Sequence, residues 1–254
     1  ITEIGSFAFE KCHELQDFQI PETVTSLGES AFKECFHLYE ITIQPNLKTV
    51  GKLCFKDSTG IAKITLDPFA TKYESDSFSG CNSFSLITIV TNKLKIPEFG
   101  NSAFSNVTNV EIPKNVKKLG ERAFSNFCSL ETINFPQSLD SIESYAFLNC
   151  SKLKHIKIPE EVKSIEEYCF SGCSSLMKVD IHDSIEKINK YSFNGCSSLV
   201  EFHIPAKVTE IFEGTFNGCA RLIDIKINDN ITNIENLHLT DVLHLRKLKY
   251  QSQF

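Results

Sequence analysis

Residues 193–199 read FNGCSSL, and residues 170–176 read FSGCSSL. A cysteine stands three places after a phenylalanine, and the pair returns after 23 residues. Such a cysteine could belong to a disulfide framework, a metal ladder, a nucleophile or a packed core. The period decides between them. Aligned on that phenylalanine, the chain gives Phe9, Phe32, Phe55, Phe78, Phe124, Phe147, Phe170, Phe193 and Phe216, with Leu239 in the same register. Each step is 23, except for 46 between Phe78 and Phe124. Phe104 fills the gap three residues late, which reads as a repeat lengthened before it and shortened after it. The spacing predicts eleven rungs over 1–254, one solenoid without a linker, irregular over 70–115 and with an edge repeat at 231–254.

Other columns keep the same period. Val24, Val116, Val162 and Ile185 open units, and Leu27, Leu119, Ile165 and Ile188 follow three residues on. Leu38, Leu130, Leu153, Leu176 and Leu199 come six after the phenylalanine. Then come alternating pairs such as Ile41/Ile43 and Ile156/Ile158, often closed by a proline, as at Pro113, Pro136, Pro159 and Pro205. A period of two points both side chains of a pair one way from a short strand. The proline ends that strand because it has no N–H to give. Phe and Cys at i and i+3 predict one face of a helical turn. A unit this short cannot bury its apolar face alone, whereas stacked units bury their faces as one core.

Composition narrows the function. The formal net charge is −6, with 32 acidic against 26 basic residues, so nothing draws the chain to nucleic acid or an anionic membrane. No apolar run approaches the ~18 residues of a spanning helix. Phosphate-binding loops, nucleophile elbows and zinc-protease motifs do not occur in the sequence. No enzyme, cofactor or metal site is expected.

The L-x-x-I-x-I segment resembles the strand of leucine-rich repeats. The 23-residue unit with AFxxC and IP resembles the BspA-like, or Treponema pallidum-type, leucine-rich repeat, and YAFLNCSKLKHIKIPEEVKSI at 145–165 carries the resemblance best. It implies an α/β repeat solenoid: a right-handed leucine-rich-repeat superhelix, with a parallel sheet on the concave side and short helical turns or extended segments on the convex side. It further implies a protein-binding or adhesion module of a surface or secreted protein, with a host extracellular-matrix or cell-surface protein as partner. An intracellular scaffold, or the targeting arm of a larger multidomain protein, is the alternative.

Of the ten cysteines, Cys12, Cys35, Cys81, Cys150, Cys173, Cys196 and Cys219 hold the consensus place. Cys128 is one residue late, and Cys54 and Cys169 replace the small residue before Phe. Stacked one rung apart with parallel Cβ directions, column thiols have poor disulfide geometry and read as free, buried core. Cys169–Cys173 is the local disulfide alternative. His238 and His244, six apart, do not share a helical face and read as polar positions of the last repeat. Asn106, Asn149 and Asn230 stand in glycosylation sequons at near-chance frequency.

A partner would meet the strand residues that flank the first buried apolar position. In the first half these are Asp17/Gln19, Glu40/Thr42, Lys63/Thr65, Leu86/Thr88, Asn109/Glu111 and Thr132/Asn134. In the second half they are His155/Lys157, Lys178/Asp180, Glu201/His203, Asp224/Lys226 and Lys247/Lys249. The charged set His155, Lys157, Lys178, Asp180, Glu201, His203, Asp224 and Lys226 is the candidate partner-binding surface, and an inert solvated sheet face is the competing reading. No aromatic anchor stands in these columns. The chain starts in register at Ile1, which suggests a truncation or an edge that meets another copy, and LRKLKY at 245–250 reads as an edge repeat.

Overall fold

The protein, described here from a computed structural model, is a stack of parallel coils. The structure describes residues 1–69, 71–74, 76–98 and 104–235. His238, Leu239, Val242, His244, Leu245, Lys247 and Lys249 lie outside the described residues. Each coil after the first contributes a two-residue strand, a wall of turns and a longer strand of two to four residues, whereas Asp17 and Gln19 of the first coil lie in no strand. The longer strands are Glu40–Thr42, Lys63–Leu66, Leu86–Ile89, Asn109–Glu111, Thr132–Ile133, His155–Lys157, Lys178–Asp180, Glu201–His203 and Asp224–Lys226. All strand pairs are parallel with partners 23 residues apart, such as Ile41↔Ile64 and Phe202↔Ile225. Within these strands the middle residue points inward and its neighbours outward, the alternation the I-x-I pairs predict.

The core is a set of vertical columns. Phe32 and Phe55 stack at 5.3 Å, Phe147 and Phe170 at 5.4 Å, and Phe170 and Phe193 at 5.5 Å, with ring planes within 11°. The inner aliphatic positions, such as Leu38, Ile41, Leu130, Leu176 and Leu199, are fully buried beside them.

Two expectations need correction. The first concerns the wall opposite the longer strands. Among the described residues it contains no α-helix. Cys173 N–H does donate to Phe170 O at 3.2 Å, as an i+3 turn requires. However, Tyr168, Phe170 and Gly172 donate along the stack, to Lys190, Ser192 and Asn194 of the next coil, at 2.7–3.2 Å. Alternate N–H groups thus close turns within a coil and ladder bonds between coils, whereas a helix would aim them all one way. Two residues per coil, two before and two after the phenylalanine, have left-handed φ: Tyr145 and Asn149, Tyr168 and Gly172, Tyr191 and Gly195. The glycine of FNGC is there for this backbone, with φ +74° at Gly195.

The second correction concerns Phe104. Strand register passes through this region unbroken, from Leu86 to Asn109 to Thr132 and from Lys95 to Lys118. Every strand pair of the described residues here keeps the step of 23. Phe104 lies 23 after Cys81 and 23 before Phe127, which in turn precedes Cys150 by 23. Two phenylalanines occupy the cysteine column there, and their rings lie 5.8 Å apart. Cys128 is displaced because Phe127 holds its place.

Candidate functional site

The cysteine column is structural. All ten thiols are free, and eight are buried. Cys35 Sγ donates to Phe9 O at 3.2 Å, Cys173 to Phe147 O at 3.2 Å and Cys196 to Phe170 O at 3.3 Å, each bond tying a coil to the one before it. In the third coil a serine does the same. Ser58 Oγ donates to Phe32 O at 2.6 Å and accepts the Cys35 N–H at 3.0 Å. A hydroxyl in the same column with the same bond, and buried rings there at Phe104 and Phe127, show that the position does not depend on sulfur chemistry. Burial raises the thiol pKa of Cys35 to about 11 and those of Cys81 and Cys219 to about 12, which suppresses the reactive thiolate. Among the described residues no group of His, Cys, Asp and Glu could hold a metal ion.

The turn wall carries an aromatic stack that the columns of the sequence contain at positions 145, 168 and 191. Tyr145 and Tyr168 stack at 5.0 Å, and Tyr168 and Tyr191 at 4.9 Å. The Arg122 guanidinium caps one end at 4.2 Å. At the other end a Cβ on Gly214 would run into the Tyr191 ring. Ring faces are thus taken by neighbouring rings, and the three side chains are half-buried. Bulky residues rarely adopt positive φ. Stacking holds them there, so the ladder reads as a fastening of the wall.

The outward residues of the longer strands form the sheet face. His155 Nε2 lies 2.8 Å from Asp180 Oδ2, and Lys178 Nζ donates to Asp180 Oδ1 at 2.9 Å. Lys178 holds the Asp180 carboxyl below its ordinary pKa, with burial opposing and His155 assisting. Thus three of the eight expected residues, His155, Lys178 and Asp180, form one network. His203 Nε2 lies 3.4 Å from Asp183 Oδ1. Lys157, Glu201, Asp224 and Lys226 make no ion pair within 4.0 Å among the described residues. In the first half the face is tied by threonine hydroxyls, which donate from Thr132 Oγ1 to Asn109 Oδ1 at 2.9 Å and from Thr88 Oγ1 to Glu111 Oε2 at 2.8 Å.

This face is interrupted where the charges gather. The longer strands pair continuously from Glu40–Thr42 to Thr132–Ile133. Pairing then lapses before His155–Lys157, and lapses again between Lys178–Asp180 and Glu201–His203. A cleft lies at each lapse. The first, about 540 Å³, is lined by Phe135, Pro136, Ile158 and Pro159 with Glu160 and Glu161 at its rim. The second, about 120 Å³, is lined by Val179 and Phe202 beneath Lys178, Glu201, His203, Asp224 and Lys226. Val179 is half-exposed, whereas the corresponding Ile156 and Ile225 are buried.

An apolar stripe borders the second cleft. Met177 is 50% exposed and Ile223 67%, with half-buried Val200 in the coil between them. They sit one residue before the strand columns. There the chain faces solvent for two consecutive positions, Met177 and Lys178, before turning Val179 inward. A search confined to alternating strand positions passes over them. A column of Met, Val and Ile at a spacing of 23 was the available signal.

The chain matches the family described as BspA type leucine rich repeat region over residues 2–127, 92–162 and 117–246. It belongs to that family. A leucine-rich repeat protein from Bacteroides ovatus is similar in structure, with a TM-score of 0.60 at 27% identity, covering 92% of this chain. The present chain spans 66% of that protein's length. A leucine-rich repeat protein from Eubacterium ventriosum gives a TM-score of 0.48 at 18% identity, covering 89% of this chain and 70% of its own. The Treponema pallidum leucine-rich repeat protein gives 0.36 at 21%, covering 78% and 72%. No protein among those with curated functions matches this sequence. Family and fold support a protein-interaction repeat module, and no helix among the described residues is long and apolar enough to cross a membrane.

Proposed function

We propose that this chain is a non-enzymatic recognition segment, one solenoid of about eleven repeats over 1–254, of a surface or secreted adhesion protein. It binds a protein partner, a host extracellular-matrix or cell-surface protein, through the sheet face of its second half. His155, Lys157, Lys178, Asp180, Glu201, His203, Asp224 and Lys226 are the contact residues. The observation that carries this reading is the concentration of charge and clefts on the sheet face between 133 and 226, at coils where strand pairing lapses. Clefts with apolar floors and polar rims offer what recognition needs. The turn wall, by contrast, is fastened by its own stacking.

The test is capture from matrix and cell-surface proteins, followed by affinity measurement with a variant carrying His155→Glu, Lys157→Glu, Lys178→Glu and Glu201→Lys. Loss of binding by about tenfold or more supports the reading. Unchanged binding refutes it. One observation favours a second reading. Ten free cysteines without a disulfide suit a reducing compartment, hence an intracellular scaffold or a targeting arm. A leader peptide in the gene would favour the first, a fused catalytic domain the second.

A further inference from the structure

We infer that the partner presents an extended segment alternating cationic and apolar side chains, its apolar groups on the Met177–Val200–Ile223 stripe and its cation over Glu201 and Asp224. This rests on the reading of the sheet face as the binding surface and names what that surface selects. Three independent features point the same way. The stripe places exposed Met177 and Ile223 and half-buried Val200 in three consecutive coils, whereas the same column elsewhere holds Gln16, Ala62, Ser85, Thr108, Glu131 and Lys154, with a single exposed ring at Tyr39. A contiguous apolar strip confined to one end of a face marks an interaction site rather than scattered exposure. Glu201 and Asp224 then stand directly opposite each other in paired strands. Like charges in register repel. Lys178, beside Glu201 on the preceding coil, is bonded to Asp180 at 2.9 Å, and Lys226, which lines the same cleft, pairs with neither carboxylate within 4.0 Å among the described residues. The two carboxylates therefore gain from any cation that arrives with a ligand. Finally, the cleft of about 120 Å³ floored by Val179 and Phe202 opens beside these carboxylates.

The geometry also sets the ligand's form. Rungs repeat at the spacing of paired strands, and side chains two apart along an extended chain span roughly 7 Å. Set edge-on across the coils, an extended segment turns alternate side chains to its two sides, apolar ones towards the stripe and cationic ones towards the acidic column, whereas a lone cation would satisfy only the latter. Arginine suits the carboxylate pair best, because its planar fork donates to two acceptors at once.

The test uses the full chain and four labelled decapeptides: Arg–Leu, Lys–Leu, Glu–Leu and Arg–Ser alternations, read by fluorescence anisotropy. The Arg–Leu peptide should bind, weaken as salt rises, and lose about tenfold or more in affinity with either Glu201→Gln/Asp224→Asn or Met177→Ser/Ile223→Ser. The Glu–Leu and Arg–Ser peptides should bind at least about tenfold more weakly. Glu40→Gln/Lys63→Gln, the matching positions of earlier coils, should change nothing. The inference is overturned if the Arg–Leu peptide fails to bind, if Glu–Leu binds equally well, or if the stripe variant binds as the parent does. It is also overturned if Lys247→Ser/Lys249→Ser tightens binding markedly, since the chain's own cations would then be the occupant. Should the charge-reversed sheet-face variant lose a captured partner while the stripe variant keeps it, the sheet-face reading stands and only this inference falls.

Discussion

Phe170 is sandwiched between Phe147 at 5.4 Å and Phe193 at 5.5 Å, all three fully buried with rings nearly parallel. Truncation to alanine removes a ring the coil cannot replace, at a cost of about 3–5 kcal/mol. Leucine keeps most of the volume and loses the stacking, worth about 0.5–1.5 kcal/mol per ring pair. In a solenoid this cost should stay between neighbours. A double-mutant cycle of Phe170→Leu with Phe193→Leu should therefore fall short of additivity by about 0.5–1.5 kcal/mol, because the shared stack is lost only once. The same cycle with Phe55→Leu, five coils away, should be additive within about 0.5 kcal/mol. Urea melts give the totals, and hydrogen exchange of peptides from 162–184 and 185–207 locates the loss. Zero coupling between Phe170 and Phe193, or equal coupling to Phe55, would refute a core of nearest-neighbour stacks.

Three further outcomes follow from the columns. Ser192 Oγ is buried without a hydrogen-bond partner among the described residues, in a column that holds Ala31, Ala123 and Ala146 elsewhere. Ser192→Ala should stabilise the chain by about 1 kcal/mol in a denaturant melt. Gly214 has φ +66° and a Cβ there would run into the Tyr191 ring, whereas Gly195 has φ +74° and a Cβ there would meet nothing nearer than 3.6 Å. Gly214→Ala should accordingly cost more than the roughly 1 kcal/mol expected of Gly195→Ala, and equal costs would remove the ladder's structural role. Buried Cys81 and Cys219 have pKa values raised from 9.0 to about 12. Their raised folded pKa gives stability that is complete below pH 9.0 and is lost as pH rises towards 12. Near pH 10 each contributes about 1.4 kcal/mol of loss. A Cys81→Ala/Cys219→Ala variant should show a shallower fall of urea midpoint between pH 8 and 10 than the parent, and an identical fall would contradict the burial.

The strands and the aliphatic core were legible because strand pairing forces partners to share one period. Ile41, Ile64 and Ile87 must recur in step or the ladder fails. The turn wall was misread because an i+3 pair fits a reverse turn as well as a helix. Gly172 and Gly195, with Asn126 and Asn149 in the same column, were the better guide, since those residues tolerate positive φ. Phe104 misled because it was aligned by residue type, while backbone register assigns it to the cysteine column. On the sheet face, alternation located the charged residues. It missed Met177 and Ile223, because the chain exposes two consecutive residues where the turn enters the strand.

A lysine-acetylation footprint of the full chain, with and without its captured partner, tests the binding face most directly. Lys157, Lys178 and Lys226 stand on the sheet face, while Lys152 and Lys190 are exposed elsewhere on the coils. Protection of the first three by the partner, with the other two still reacting, is the predicted result. Protection of Lys190 with Lys178 and Lys226 left reactive would place binding on the turn wall and contradict the account.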